Sequence, residues 1–315
     1  MWIYFYAAHL LGDFAVFPDA ETEKSMDRKG GALLRHAFVH LLFMFAAGLF
    51  IFFTDPHSSP RLLGALGTAA ILIAIAHFAV DAATLRLGGK LQRPGSLALL
   101  FLLDQAAHLF LILFLLRLLT GGAAVSGGLE GLFSGNLSVS EKAAATLCIF
   151  IWATSGAGTL LAILLKNIAP DDQLEEGVFR ISDERTEIKT KYAISGREET
   201  EITTVKTEHY FRDSPEKTGK TIGMLERSLI VLLLMIRLPE GLAFLAAIKT
   251  LTRFKQFDQK QFAEYYLIGT LSSAMIGILL GVAAASLWRK GPRGRLISAN
   301  GALSVMEASI SVAAR

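Results

Sequence analysis

Long apolar runs separated by short polar stretches dominate the chain. A run of about 18 or more mostly apolar residues has the length of a bilayer-spanning helix. Such runs occupy 1–17, 31–54, 62–87, 96–119, 142–165 and 263–288. A further apolar region, 221–251, is broken by Arg237-Leu238-Pro239-Glu240. Backbone polar groups in lipid must be satisfied internally, which leaves helices or closed barrels. Barrel strands alternate apolar and polar side chains, and these runs do not. The pattern predicts an all-α polytopic membrane protein with seven or eight helices. The count turns on 221–251, which is either a hairpin of two short spans or one span with a re-entrant half.

A different period appears between 166 and 220. This stretch is polar, with 22 charged residues from Asp171 to Lys220. Within it Ile188, Thr190, Tyr192 and Ile194 alternate with Glu187, Lys189 and Lys191. Thr203, Val205, Thr207, His209 and Phe211 alternate with Thr204, Lys206, Glu208 and Tyr210. With a turn at Ser195-Gly196, this predicts a small β-rich insertion of two or three strands; the bland alternative is a solvated, charged linker. An isolated hairpin is marginal alone, so 170–218 would need a membrane-proximal surface or a cytoplasmic protein partner. The chain thus divides into a four-helix membrane core (1–119), a Gly-rich loop with a fifth helix (120–165), the polar insertion (166–220), C-terminal membrane helices (221–288) and a mobile tail (289–315).

Composition and charge add orientation. Of the 315 residues 52% are hydrophobic, and the net charge of +3 is too small to argue for nucleic acid. The basic residues sit in loops: Lys24, Arg28, Lys29 and Arg35 after the first run, Arg86, Lys90 and Arg93 after the third, but only Arg61 in 55–61. Basic loops face the cytoplasm, which puts the N-terminus outside and the insertion inside. Lys249, Arg253, Lys255 and Lys260 favour eight helices; Arg289, Lys290, Arg293 and Arg295 in the tail favour seven. The N-terminus lacks a basic n-region, and His9 and Asp13 interrupt its apolar stretch, unlike a signal peptide. Cys148 is the single cysteine, so no intrachain disulfide forms.

The candidate chemistry lies inside the first four runs. Each holds one polar pair four residues apart: His9/Asp13, His36/His40, His77/Asp81 and Asp104/His108. That spacing places both side chains on one helix face. With alternating helix direction, all four pairs fall in the cytoplasmic half of the membrane. Counting inward gives a shallow layer of Asp13, His36, Asp81 and Asp104, and a deep layer of His9, His40, His77 and His108, roughly 6 Å apart. A charge near the bilayer centre costs at least ~2.5–3.5 kcal/mol, so such a cluster needs a compensating partner. A single membrane histidine is more often an interhelical hydrogen-bonding residue than a ligand, and Asp/His pairs also build proton relays. Four pairs at one depth point instead to a divalent metal ion (zinc, manganese or iron), held singly or as a pair. Asp13, Asp81 and Asp104 are the catalytic candidates, as ligands or general base. A weaker feature is Arg227, Lys249 and Arg253, either a lipid-phosphate site or interfacial anchors and an ion pair.

The strings Ala8–Phe14 (AHLLGDF), Arg35–His40 (RHAFVH), Ala76–Asp81 (AHFAVD) and Phe101–Leu109 (FLLDQAAHL) resemble a bacterial integral membrane family, domain of unknown function 3307. Gly219–Arg227, Ala246–Phe254 and Ala263–Ser273 resemble its extended form, while 170–218 stands apart as an insertion. The resemblance implies a multi-pass protein of the bacterial cytoplasmic (inner) membrane, with no established activity. His77–Thr84 (HFAVDAAT) is more distantly similar to membrane-bound metal-dependent hydrolases. Together these imply a membrane-embedded hydrolase acting on a lipid or lipid-linked phosphate. The alternative is a metal-ion or proton transporter, or a metal-stabilised scaffold with a cytoplasmic partner.

Overall fold

The computed structural model describes residues 1–16, 30–56, 58–121, 130–132, 136–166, 168, 178–192, 198–212, 216–253 and 260–289. His57, the basic residues Lys24, Arg28 and Lys29, the Ser195-Gly196 turn and the tail from Lys290 onward lie outside these.

The N-terminal half is a ring of four helices. α1 (Trp2–Leu11) passes into a wider π turn, Gly12–Val16. α2 (Gly30–Thr54), α3 (Pro60–Gly88) and α4 (Pro94–Thr120) follow. The starts of α3 and α4 are written in the sequence. Both carry proline at the first helical position, where its missing N–H costs nothing. The Ser59 hydroxyl also accepts from the Leu62 N–H. α1 packs on α2, α2 on α3, α3 on α4, and α4 back on α1. One end of the ring is an apolar core that includes Ile3, Phe5, Met44, Leu66, Ile112 and Leu116. The polar pairs sit at the other end.

α5 (Val139–Ile151) starts at a capping box between Ser138 and Glu141. It continues through a second π turn, Trp152–Gly156, into α6 (Ala157–Leu165). Its start adjoins the start of α1: Tyr4 donates to the Ser140 hydroxyl, and the Met1 amino group lies 3.6 Å from Glu141. α7 (Glu216–Met235), α8 (Gly241–Arg253) and α9 (Lys260–Leu287) complete the helices. The break expected at Arg237–Glu240 is where α7 ends, with Arg237 at a φ of 61°.

α7 and α9 run parallel, because Arg227, Ile230 and Leu234 meet Ser273, Gly277 and Gly281 in that order. α8 returns along α7, from Gly241 beside Leu233 to Lys249 beside Glu226. The end of α9 therefore lies on the N-terminal face, where Trp288 Nε1 donates to Thr146 Oγ1. This is the path of a hairpin at 221–251. Among the described residues, five helices are long and apolar enough to cross a membrane: Gly31–Thr54, Pro60–Gly88, Pro94–Thr120, Val139–Leu165 and Ala263–Leu287. α8 is only ~20 Å long, short of the ~30 Å hydrocarbon core. Five long helices and shorter partners make a multi-pass membrane protein.

In the insertion, β1 (Val178–Tyr192) and β2 (Glu198–Arg212) pair antiparallel, with Ile188 opposite Ile202 and Tyr192 opposite Glu198. The sheet has these two strands alone among the described residues. A two-stranded ribbon has no further strand to bury a face against, so a β-rich insertion is not supported beyond this pair.

Candidate metal centre

All four i, i+4 pairs converge at one end of the α1–α4 ring. α1 and α3 bring their pairs near their ends, α2 and α4 near their starts, so alternating direction sets the four at one level. The π turn at Gly12–Val16 carries Asp13. Such turns are rare in helices and recur at functional sites. Gly12 lets α2 approach: a Cβ there would fall 2.5 Å from Cε1 of His40.

Asp13 is the hub. Its Oδ1 lies 2.9 Å from Nε2 of His40, 3.3 Å from Nε2 of His36 and 3.7 Å from Nε2 of His77, and its Oδ2 lies 3.5 Å from Nε2 of His9. Asp81 is a second hub. Its Oδ2 is 3.2 Å from Nε2 of His77 and 3.6 Å from Nε2 of His36, while its Oδ1 is 3.4 Å from Nε2 of His108. Asp104 Oδ2 lies 3.6 Å from Nδ1 of His108. The rings crowd together as well, with centroids 3.8 Å apart for His40 and His77 and 4.2 Å for His77 and His108.

Exposure separates imidazoles from carboxylates, and His36, expected in the shallow layer, is buried at 7%. The four deep imidazoles, His9, His40, His77 and His108, are 0–3% exposed. The three carboxylates are 11–13% exposed and mark the mouth. Nε2 of His9, His40, His77 and His108 is buried and makes no well-formed hydrogen bond, although carboxylate oxygens lie near. Leaving buried polar atoms unsatisfied costs about 1–3 kcal/mol each. Imidazole nitrogens and carboxylate oxygens converging in this way form a donor set that suits a divalent transition metal.

Two neighbours were not singled out by the pair spacing. Gln105, buried on α4, donates from Nε2 to Asp13 Oδ2 at 2.9 Å and to Asp104 Oδ2 at 3.3 Å. Thr84 donates to Asp104 Oδ1 at 2.7 Å. Each was findable: Gln105 precedes His108 by three residues and Thr84 follows Asp81 by three, a spacing that shares a helix face.

Of the weaker cationic residues, Arg227 and Lys249 have described side chains. Arg227 is buried, and its guanidinium donates to the carbonyls of Ala153 and Thr154 in the second π turn and to the Ser273 hydroxyl. It thus faces the second π turn and α9. Lys249 pairs with Glu226 and lies over the Tyr266 ring. The Arg253 side chain lies outside the described residues.

Trp152 links the two halves. Its indole donates to the Tyr6 hydroxyl at 2.8 Å, and its ring packs against Phe14, which follows Asp13, and against Phe101. No curated protein and no solved structure matches the chain. Residues 1–126, which hold α1 to α4 and all eight clustered residues, match the model of the family described as protein of unknown function (DUF3307).

Proposed function

We propose that the cluster holds a divalent metal ion and that the protein is a membrane-embedded hydrolase acting on a lipid or lipid-linked phosphate. One observation carries the metal: four buried imidazoles turn Nε2 atoms without hydrogen-bond partners toward Asp13 and Asp81. A bound divalent ion would polarise a phosphoryl oxygen and lower the pKa of water. The carboxylates at the mouth would take the proton of the attacking water as the phosphorus–oxygen bond to the lipid alcohol breaks. Gln105 and Thr84 would orient them. The distant similarity of His77–Thr84 to membrane-bound hydrolases supports the reaction class. A transporter would need polar groups continuing to the opposite leaflet, whereas the buried core beyond the cluster is apolar. We place the protein in the bacterial cytoplasmic membrane, with the mouth and the β ribbon on the cytoplasmic side. There a protein partner at 170–218 would supply the packing surface that the ribbon lacks.

The test is metal content by elemental analysis of protein purified without chelator. His40→Ala removes a ligand and leaves a residue that a membrane helix tolerates; His57→Ala is the control. Metal per protein should fall strongly in the first and stay level in the second. Equal content in both, or none in the wild type, would leave the cluster as a hydrogen-bonded or proton-conducting network. For the reaction, vesicles of phosphatidic acid should release inorganic phosphate with the metal-loaded protein, and Asp81→Asn should slow release by roughly 100-fold or more.

A further inference from the structure

We infer that the cluster is two unlike metal subsites, one closed and imidazole-rich, the other open and carboxylate-rich. The inference rests on the metal reading above and goes beyond it in number, geometry and division of labour. His9, Asp13, His40 and His77 each offer one ligand atom, all within 4.8 Å of one another. Asp81, Asp104 and His108 form a second set within the same limit. The two sets share no residue. A third grouping, His36, His77 and Asp81, borrows one member from each and lies between them.

The sets differ in the ways that separate structural from reactive metal sites. Four protein ligands complete a tetrahedron, whereas three leave a position free for water or substrate. The first set supplies three nitrogens and one oxygen, which suits zinc. The second supplies two oxygens and one nitrogen, which admits harder ions such as manganese or magnesium. In depth, the imidazoles His9, His40 and His77 of the first set and His108 of the second are at most 3% exposed. All three carboxylates, Asp13, Asp81 and Asp104, stand at the mouth, so the second set is the one with two mouth carboxylates. Each set also contains a buried Nε2 without a hydrogen-bond partner, three in the first and that of His108 in the second.

Two groups tie the subsites together. Asp81 turns Oδ2 toward His77 of the closed set and Oδ1 toward His108 of the open set, at 3.2 and 3.4 Å. Asp81, a ligand of the second set, thus also steadies the His77 imidazole of the first. Gln105 donates through one amide nitrogen to a carboxylate of each set, Asp13 and Asp104, and so fixes their relative position.

The experiment titrates zinc, then manganese, into metal-stripped full-length protein in detergent, with bound metal counted after desalting. About two equivalents of differing affinity are expected. Asp104→Asn should lose the weaker equivalent and keep the tighter; His40→Ala should lose the tighter. Loss of both ions together in each variant, or a single equivalent in the wild type, overturns the division while leaving the metal reading intact. No binding at all sinks the metal reading itself. A second measurement needs no variant. Electron paramagnetic resonance of fully manganese-loaded wild type should show exchange-coupled ions, and an isolated six-line signal at every loading overturns the pair.

Discussion

At the scale of single residues, the centre depends on what is missing from Gly12. An added methyl would meet three atoms of the His40 ring at 2.5–2.9 Å. The ring cannot retreat, because His40 is fully buried beside His77 and His36. Gly12→Ala should therefore cost on the order of 1–3 kcal/mol, as overpacking does, and lower metal content with it. Gly48→Ala on α2 is the internal comparison, since its methyl would make ordinary contact, 3.5 Å from Leu66 Cβ. Thermal unfolding in detergent, read beside metal content, should separate the two; equal melting would mean that His40 has room to move. The clustered residues were legible because a four-residue spacing repeats in four apolar runs. Gly12 was not: nothing in a sequence marks which glycine another helix approaches. Gln105 carried a signal, but a lone amide in an apolar run says little until its facing carboxylates are known.

At the scale of elements, the second π turn and α7 stabilise each other. The turn presents the carbonyls of Ala153 and Thr154 to Arg227, and Gly156 leaves space for the Trp152 ring, which an added Cβ would meet at 2.6 Å. Arg227→Met keeps the length but removes the donors. Each buried carbonyl left unpaired costs roughly 1–3 kcal/mol. Because Trp152 starts the turn and packs on Phe14, the loss should reach the centre. The expected result is a lower melting temperature with weakened metal binding, and partial rescue by Arg227→Lys. Full metal affinity in Arg227→Met would confine the effect to the C-terminal helices. The break at Arg237–Glu240 was evident from its charges and proline. Neither π turn was, since Gly-Asp-Phe-Ala-Val and Trp-Ala-Thr-Ser-Gly are ordinary helical composition, and one inserted residue per turn leaves no periodic trace over so short a stretch.

At the scale of the whole molecule, the described helices fix which ends share a face. The start of α1, the start of α5 and the end of α9 adjoin through Tyr4–Ser140 and Trp288–Thr146. A cysteine placed at Ser140 and one placed at Ser286, in a Cys148→Ser background, should react with an impermeant thiol reagent from the same side of sealed vesicles. One at Leu91, between α3 and α4, should react from the other. Labelling of Ser140→Cys and Ser286→Cys from opposite sides would contradict the parallel arrangement of α7 and α9. Charge counting alone left this undecided, because the basic residues around 249–260 and those after Trp288 call for opposite orientations. Helix packing favours one orientation: the glycines at 277 and 281 lie against Ile230, Val231 and Leu234, which sets α9 parallel to α7.

The contact of Trp152 with Tyr6 and Phe14 has an optical consequence. Of the three tryptophans, Trp2 and Trp288 sit at the N-terminal face and only Trp152 neighbours the clustered histidines and aspartates. An indole whose N–H is held by a phenol, one ring away from Asp13, has an emission tied to that helix end. The fold thus carries its own fluorophore beside its polar centre, and a quenching ion such as cobalt or copper lodged there would darken one third of the indoles while the distant pair kept shining.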